Sequence, residues 1–190
     1  MTILGLINSI DDDVILVGFS LGGHLVMETL NKVNNVKGIV LSSSPPISKS
    51  EDIAEAFIIS ELLELFTTES PDYTKIKKMF NRIIIEPSAR AEIKEDFIAT
   101  DPKVRRAIGE CFSDPSMLKN EIKLLEDFKG EKLFIQGAND PLLNQDYLLS
   151  LAEKNIFKLK MLNNCGHYPP MESSESYLKH LKAISKICFG

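Results

Sequence analysis

The chain has 190 residues, 44% of them hydrophobic, a formal net charge of −5 and a sequence pI near 5.3, which fits one sizeable globular core with an insertion. The acidic balance, with Lys and Arg scattered along the chain, argues against nucleic acid or an anionic membrane surface as a partner. Cys111, Cys165 and Cys188 are odd in number and form no C-x-x-C, which suits a reducing compartment better than a disulfide framework.

The opening MTILGLINSI is apolar but has no basic region before it, so it does not read as a signal peptide, and no run is long enough to span a bilayer. The expected location is therefore cytoplasmic. Thr2 to Ile10 read as the last turns of an amphipathic helix ended by the acidic turn Asp11-Asp12-Asp13.

Val14, Ile15, Leu16 and Val17 read as a strand buried on both faces, and the strand ends in Gly18-Phe19-Ser20-Leu21-Gly22, the pattern G-x-S-x-G. Passing from strand to helix in one tight turn strains the middle residue, so its neighbours two positions away on each side, Gly18 and Gly22, are expected to be small for steric reasons. The turn holds Ser20 Oγ clear of the backbone, beside the N-terminus of the following helix. The absence of G-x-G-x-x-G and G-K-[ST] weighs against a phosphate-binding turn.

That helix is expected from Leu21 to Val33, with Gly22, Val26, Leu30 and Val33 on one face, and Val36 to Leu41 form a second strand. Two parallel strands joined by a helix make a right-handed βαβ unit. From about Ser48 to Lys129 no good strand is found. Helices are expected around Glu51 to Phe66, Asp72 to Ile84, Ser88 to Ile98, Pro102 to Phe112 and Pro115 to Phe128, with Ser70-Pro71, Asp101-Pro102 and Asp114-Pro115 as starts. The first of these is apolar on more than one face, which fits either burial within the insertion or the lining of a substrate pocket.

The α/β rhythm returns with a strand at Lys132 to Gln136, the loop Gly137 to Pro141, a helix from about Gln145 to Lys154 and a strand from Ile156 to Leu162. In that last strand Phe157, Leu159 and Met161 alternate with Lys158 and Lys160, as expected near a sheet edge. A loop carrying His167 and a final helix from about Ser174, with Tyr177, Leu181, Ile184 and Cys188 on one face, complete the chain. The order implies an open, mainly parallel sheet covered on both sides.

In such sheets active groups gather at the carboxyl ends of the strands. Ser20, Asp140 and His167 each follow a strand, in the order expected of a G-x-S-x-G hydrolase. Asp146 is a weaker rival for the acid, and Asp140 also suits a helix cap or Asx-turn. His24 reads as a packing residue and His180 as solvated. Cys165 lacks an oxyanion-forming turn that would suit a thiol nucleophile, and the spacing of the three histidines does not suggest a metal site.

GFSLGG, QGANDPL and NCGHYPPMES, with its trailing Glu172, resemble the nucleophile elbow, acid loop and histidine loop of the α/β-hydrolase superfamily, in its capped esterase, lactonase and carbon-carbon hydrolase branch. The resemblance covers nearly the whole chain. It implies a partial α/β-hydrolase core at residues 1–47 and 130–190 with a helical cap at 48–129. It further implies Ser20 as nucleophile, Asp140 as the acid orienting the base, His167 as general base and then acid, and the Leu21 backbone N–H as an oxyanion donor. No cofactor is implied, and the substrate is a small ester or lactone.

Ahead of the elbow the family carries several strands and a second oxyanion donor that this sequence lacks, so the reading is of an N-terminally truncated hydrolase. Two expectations follow. The Val14 to Val17 strand has an unpartnered edge open to self-association, and loss of one oxyanion donor lowers turnover by about 100-fold to 1,000-fold. The alternative function is a receptor-like ligand-binding protein with little turnover.

Overall fold

The computed structural model describes residues 2–49, 51–58, 64–69 and 72–190. Among these residues four strands, β1 (Val14–Phe19), β2 (Val36–Ser42), β3 (Glu131–Gly137) and β4 (Lys158–Leu162), form one sheet in sequence order. Every neighbouring pair is parallel, with Leu16 opposite Ile39, Val40 opposite Leu133 and Ile135 opposite Lys160. All four strands therefore present their carboxyl ends at one rim, where the loops bearing Ser20, Asp140 and His167 emerge.

The period-2 alternation of the strands divides the core in two. Ile39, Leu41 and Phe134 face the larger cluster, which includes Met27 and Val26 of α2 (Leu21–Thr29) and Leu148 and Leu151 of α8 (Gln145–Glu153). Val40, Leu133 and Ile135 face the smaller one, closed by Tyr177 and Ile184 of α10 (Ser174–Phe189). The expected apolar stripe Tyr177, Leu181, Ile184 and Cys188 is thus the face that α10 lays on the sheet. A short α1 (Ile3–Ile7) precedes β1, and Asn35 ties the turn after it by donating to the carbonyls of Ile10 and Asp12.

Between β2 and β3 the described residues are helical: α3 (Asp52–Ala56), α4 (Tyr73–Ile83), α5 (Pro87–Ala99), α6 (Pro102–Ser113), a 3₁₀ turn at Pro115–Met117, and α7 (Glu121–Asp127). Asp101 caps α6 through Lys103 N, as its Asp-Pro start requires. The Ser70-Pro71 start lies outside the described residues, and α4 is capped by Asp72, which accepts from Thr74 and Lys75.

Some expectations are corrected. Instead of one helix over Glu51 to Phe66, α3 stops at Ala56. Phe57 is extended, at φ −112° and ψ 143°, and forms an antiparallel bridge with Leu143, while Ile58 N donates to Leu142 O at 2.8 Å. This long-range backbone pairing replaces the next helical turn; residues 59–63 lie outside the described residues. The helix expected from Pro115 to Phe128 is broken because Asn120 caps a new one through Lys123 N. The α-helix expected to run to Val33 ends at Thr29 and tightens into a 3₁₀ turn, Leu30–Lys32.

β1 pairs with β2 alone among the described residues, and the reading of Val14 to Val17 as buried on both faces does not hold: Val17 is 50% exposed. An edge strand lacks the neighbour that would cover it. No described helix is long and apolar enough to cross a membrane.

Candidate active site

The tightest constraint at the rim is steric. Ser20 sits between β1 and α2 at φ 48° and ψ −124°, a left-handed conformation costly for a residue with a Cβ. Its N–H donates to Ser42 O at 2.9 Å, and its carbonyl accepts from Ser44 Oγ at 2.6 Å, so strand β2 and its exit loop hold the bend in place. The Ser20 hydroxyl does not cap α2.

The glycine reading is half right. A Cβ on Gly18 would stand 2.5 Å from Gly23 Cα, whereas one on Gly22 would meet nothing within 4 Å. The second crowded glycine is Gly23, where a Cβ would fall 2.2 Å from Ser44 Oγ. The helix therefore packs on the strand through Gly23, one residue beyond the motif.

Asp140 and His167 come together. Both are buried, and His167 Nδ1 lies 2.8 Å from Asp140 Oδ2. Asp140 Oδ2 also accepts from Gln136 Nε2 at 2.9 Å, and Oδ1 accepts from Leu142 N at 2.9 Å, so the carboxylate forms an Asx-turn as well as the contact to the ring. Burial alone would raise its pKa. The charge and hydrogen bond of His167 and the bonds from Leu142 and Gln136 outweigh that and hold it below the ordinary 3.8. Asp146 is exposed in the first turn of α8 and its N–H donates to Asn144, so the rival acid is not at the ring.

His167 is also fixed through its backbone. Its N–H donates to Ile83 O, at the end of α4, at 2.7 Å, and its carbonyl accepts from Ser43 Oγ at 2.8 Å. Ser43 is itself left-handed at φ 54°. The Phe19 ring lies 5.5 Å from the His167 ring and 4.9 Å from that of Tyr168, which brings the residue before Ser20 against the histidine loop. No hydrogen bond joins Ser20 Oγ to the imidazole among the described residues; such contacts commonly tighten only with substrate bound.

Glu172, at the end of α9 (Pro169–Glu172), organises the loop. Its carboxylate accepts from the backbone N–H groups of Ile85 (2.5 Å), Glu86 (3.2 Å), Gly166 (3.1 Å) and Tyr168 (2.9 Å). One side chain thus ties the histidine loop to the segment between α4 and α5.

His24 is more than a packing residue. Its Nδ1 lies 2.9 Å and 3.1 Å from the two oxygens of buried Glu121, whose Oε2 also accepts from Ile47 N at 3.0 Å. Glu121 N donates in turn to Ile47 O at 2.8 Å. His180 is half-buried, and burial together with Lys160 and Lys179 pulls its pKa down. Cys165 is fully buried, and burial pushes its thiol up to about 11, which makes it a poor nucleophile.

Gln136, Ser43, Gly23 and the His24–Glu121 pair are additions to the sequence reading. Only Gln136 carried a signal, as a polar residue at the carboxyl end of a strand whose centre, Leu133 to Ile135, is apolar.

A parallel sheet with a strained serine elbow and a buried acid-histidine pair at one rim defines a protein of the α/β-hydrolase type. A family model described as the alpha/beta hydrolase family matches residues 2–178, and the chain belongs to that family. Among solved structures, an N-acyl homoserine lactonase complexed with N-butanoyl homoserine superposes with a TM-score of 0.85 at 19% identity, over 98% of this chain and 68% of that one. A thermophilic esterase from Thermogutta terrifontis gives 0.75 at 18% identity, over 98% and 70%. A 2-hydroxy-6-oxo-6-phenylhexa-2,4-dienoate hydrolase from Rhodococcus sp. strain RHA1 gives 0.68 at 18%, over 92% and 64%. At these identities the likeness is one of fold. No curated protein matches the chain.

Proposed function

We propose that the chain is a serine hydrolase that cleaves a carboxylic ester or lactone through an acyl-enzyme on Ser20. The buried 2.8 Å contact between His167 and Asp140, on the rim that carries the strained Ser20, is the observation that supports this reading most. Residues 1–47 and 130–190 act as the hydrolase core, and 48–129 as a helical cap over the site. The three unpaired cysteines suit a reducing cytoplasmic setting.

In the first half-reaction Ser20 Oγ attacks the substrate carbonyl carbon while His167 Nε2 takes the hydroxyl proton. Asp140 holds the other ring N–H and stabilises the imidazolium. The carbonyl oxygen becomes an oxyanion facing the Leu21 N–H at the start of α2, where the helix N-terminus also favours negative charge. Collapse breaks the bond to the alkoxy group, which leaves with the proton from His167. In the second half His167 deprotonates water, hydroxide attacks the acyl carbon, and the acid departs as Ser20 regains its proton. An N-acyl homoserine lactonase and a thermophilic esterase are among the solved structures that share this fold.

A fluorophosphonate probe tests the reading. It is expected to label the folded protein at Ser20, with labelling lost in Ser20→Ala and strongly reduced in His167→Ala. Absence of labelling on folded protein overturns the proposal.

A further inference from the structure

A cavity of about 370 Å³ opens beside the elbow, within the range of small-molecule sites, about 300–1,000 Å³. Phe19 and Tyr168 line it, and they are the immediate neighbours of Ser20 and His167 in the chain. Ile93 and Phe97 of α5 and Met171 of α9 add apolar wall, so the space adjoins the elbow and the histidine loop and suits hydrocarbon.

Its acidic lining residue is Asp96, an exposed carboxylate in the last turn of α5. Burial raises the Tyr168 phenol pKa, and the negative charges of Asp140, Asp96 and Glu172 raise it further. One cation at the wall, Arg105, lies 4.8 Å over the Phe97 ring, but its guanidinium donates to the carbonyls of Thr68, Phe97, Thr100 and Glu69. It has no free fork to offer a ligand carboxylate.

We propose that this cavity is the acyl-chain subsite and that Asp96 makes it a specificity-determining residue, admitting uncharged chains and rejecting chains that end in a carboxylate. The inference rests on the serine-hydrolase reading and narrows it. It favours neutral acyl esters and lactones over substrates whose far end is anionic. Asp96 acts through charge at the mouth of the cavity and takes no part in bond breaking.

The test pairs p-nitrophenyl hexanoate with p-nitrophenyl hydrogen adipate, which differ by a terminal carboxylate, and compares kcat/KM for the wild type and Asp96→Asn. The side chain is exposed, so the variant keeps the fold. The wild type is expected to prefer the hexanoate by about tenfold or more at low salt, and Asp96→Asn to narrow the gap to about threefold or less, as removal of one like charge demands. Equal rates on both esters, or a gap unchanged in the variant, overturn the inference.

Binding is measured alongside, by NMR of the Ile93 and Met171 methyls titrated with hexanamide and with adipic acid monoamide. If no ester is cleaved and hexanamide alone shifts these methyls, the hydrolase reading falls while the charge-selective cavity stands. If both amides shift them equally, or neither does, the cavity assignment falls.

Discussion

Replacing Glu172 by Ala removes one acceptor from four backbone N–H groups at once. The Ile85 amide is exposed and finds water, and Glu86 gains little from a 3.2 Å contact. Gly166 and Tyr168 are held in part-buried positions, at 3.1 Å and 2.9 Å. Stripping a buried donor of its acceptor costs about 1–3 kcal/mol, and about 1–2 kcal/mol for a donor only part-buried, so two such amides set the expected loss at about 2–4 kcal/mol. For a chain of this size each kcal/mol moves Tm by about 2–4 °C, which puts the fall at about 5–15 °C. Glu172→Gln retains one carbonyl acceptor and is expected to lose about half as much. Urea unfolding followed by far-UV circular dichroism measures both, and amide exchange shows whether the Gly166–Tyr168 loop and Ile85 loosen together. A Glu172→Ala protein within about 0.5 kcal/mol of the wild type would refute the reasoning, since that is the range of an ordinary surface substitution.

Asp140→Asn is expected to lower fluorophosphonate labelling and ester turnover by about 10³–10⁴-fold through loss of the histidine tautomer. It also carries a pH signature. Because the folded-state pKa of Asp140 is depressed below 3.8, its stabilisation is present above that value and is lost as pH falls through the lower folded one. The stability gap between wild type and variant, read from urea midpoints, should therefore hold from pH 7 to about 4 and close below it. Gly23→Ala should destabilise by about 1–3 kcal/mol by overpacking against Ser44, while Gly22→Ala should be neutral or stabilising by about 0.5–1 kcal/mol; thermal unfolding of the two side by side checks this. Iodoacetamide followed by mass spectrometry should modify exposed Cys111 readily and leave Cys165 intact until the protein unfolds, because the latter thiol is buried and titrates at about 11.

Much of this architecture is legible in the chain because its signals are local. Val14 to Val17 and Val36 to Leu41 are strand-length runs rich in β-branched residues, and the helix at Asp101 announces itself through its cap, whereas the cap at Asp72 stands two residues beyond the Ser70-Pro71 start the sequence offers. The meeting of Asp140 with His167 is legible for a related reason: once the strands are parallel, every loop after a strand is delivered to the same rim. What escapes the sequence depends on distant partners. Phe57 leaves its helix for Leu143, which lies far along the chain, and no property of the Phe57 to Phe66 run announces that pairing. Gly23 is constrained by Ser44 and not by the elbow motif, so the motif points to Gly22 instead. His24 sits on the partly apolar helix after the elbow, and the return of the chain at Glu121 brings a carboxylate to its Nδ1.

The reciprocal bonds between Ile47 and Glu121, at 2.8 Å and 3.0 Å, set the chain leaving β2 beside the chain on its way back to β3, like the two posts of a doorway. What lies between is stitched down a second time, where Ile83 O and the Glu172 carboxylate meet the histidine loop, so recutting that stretch would also slacken the mooring of His167.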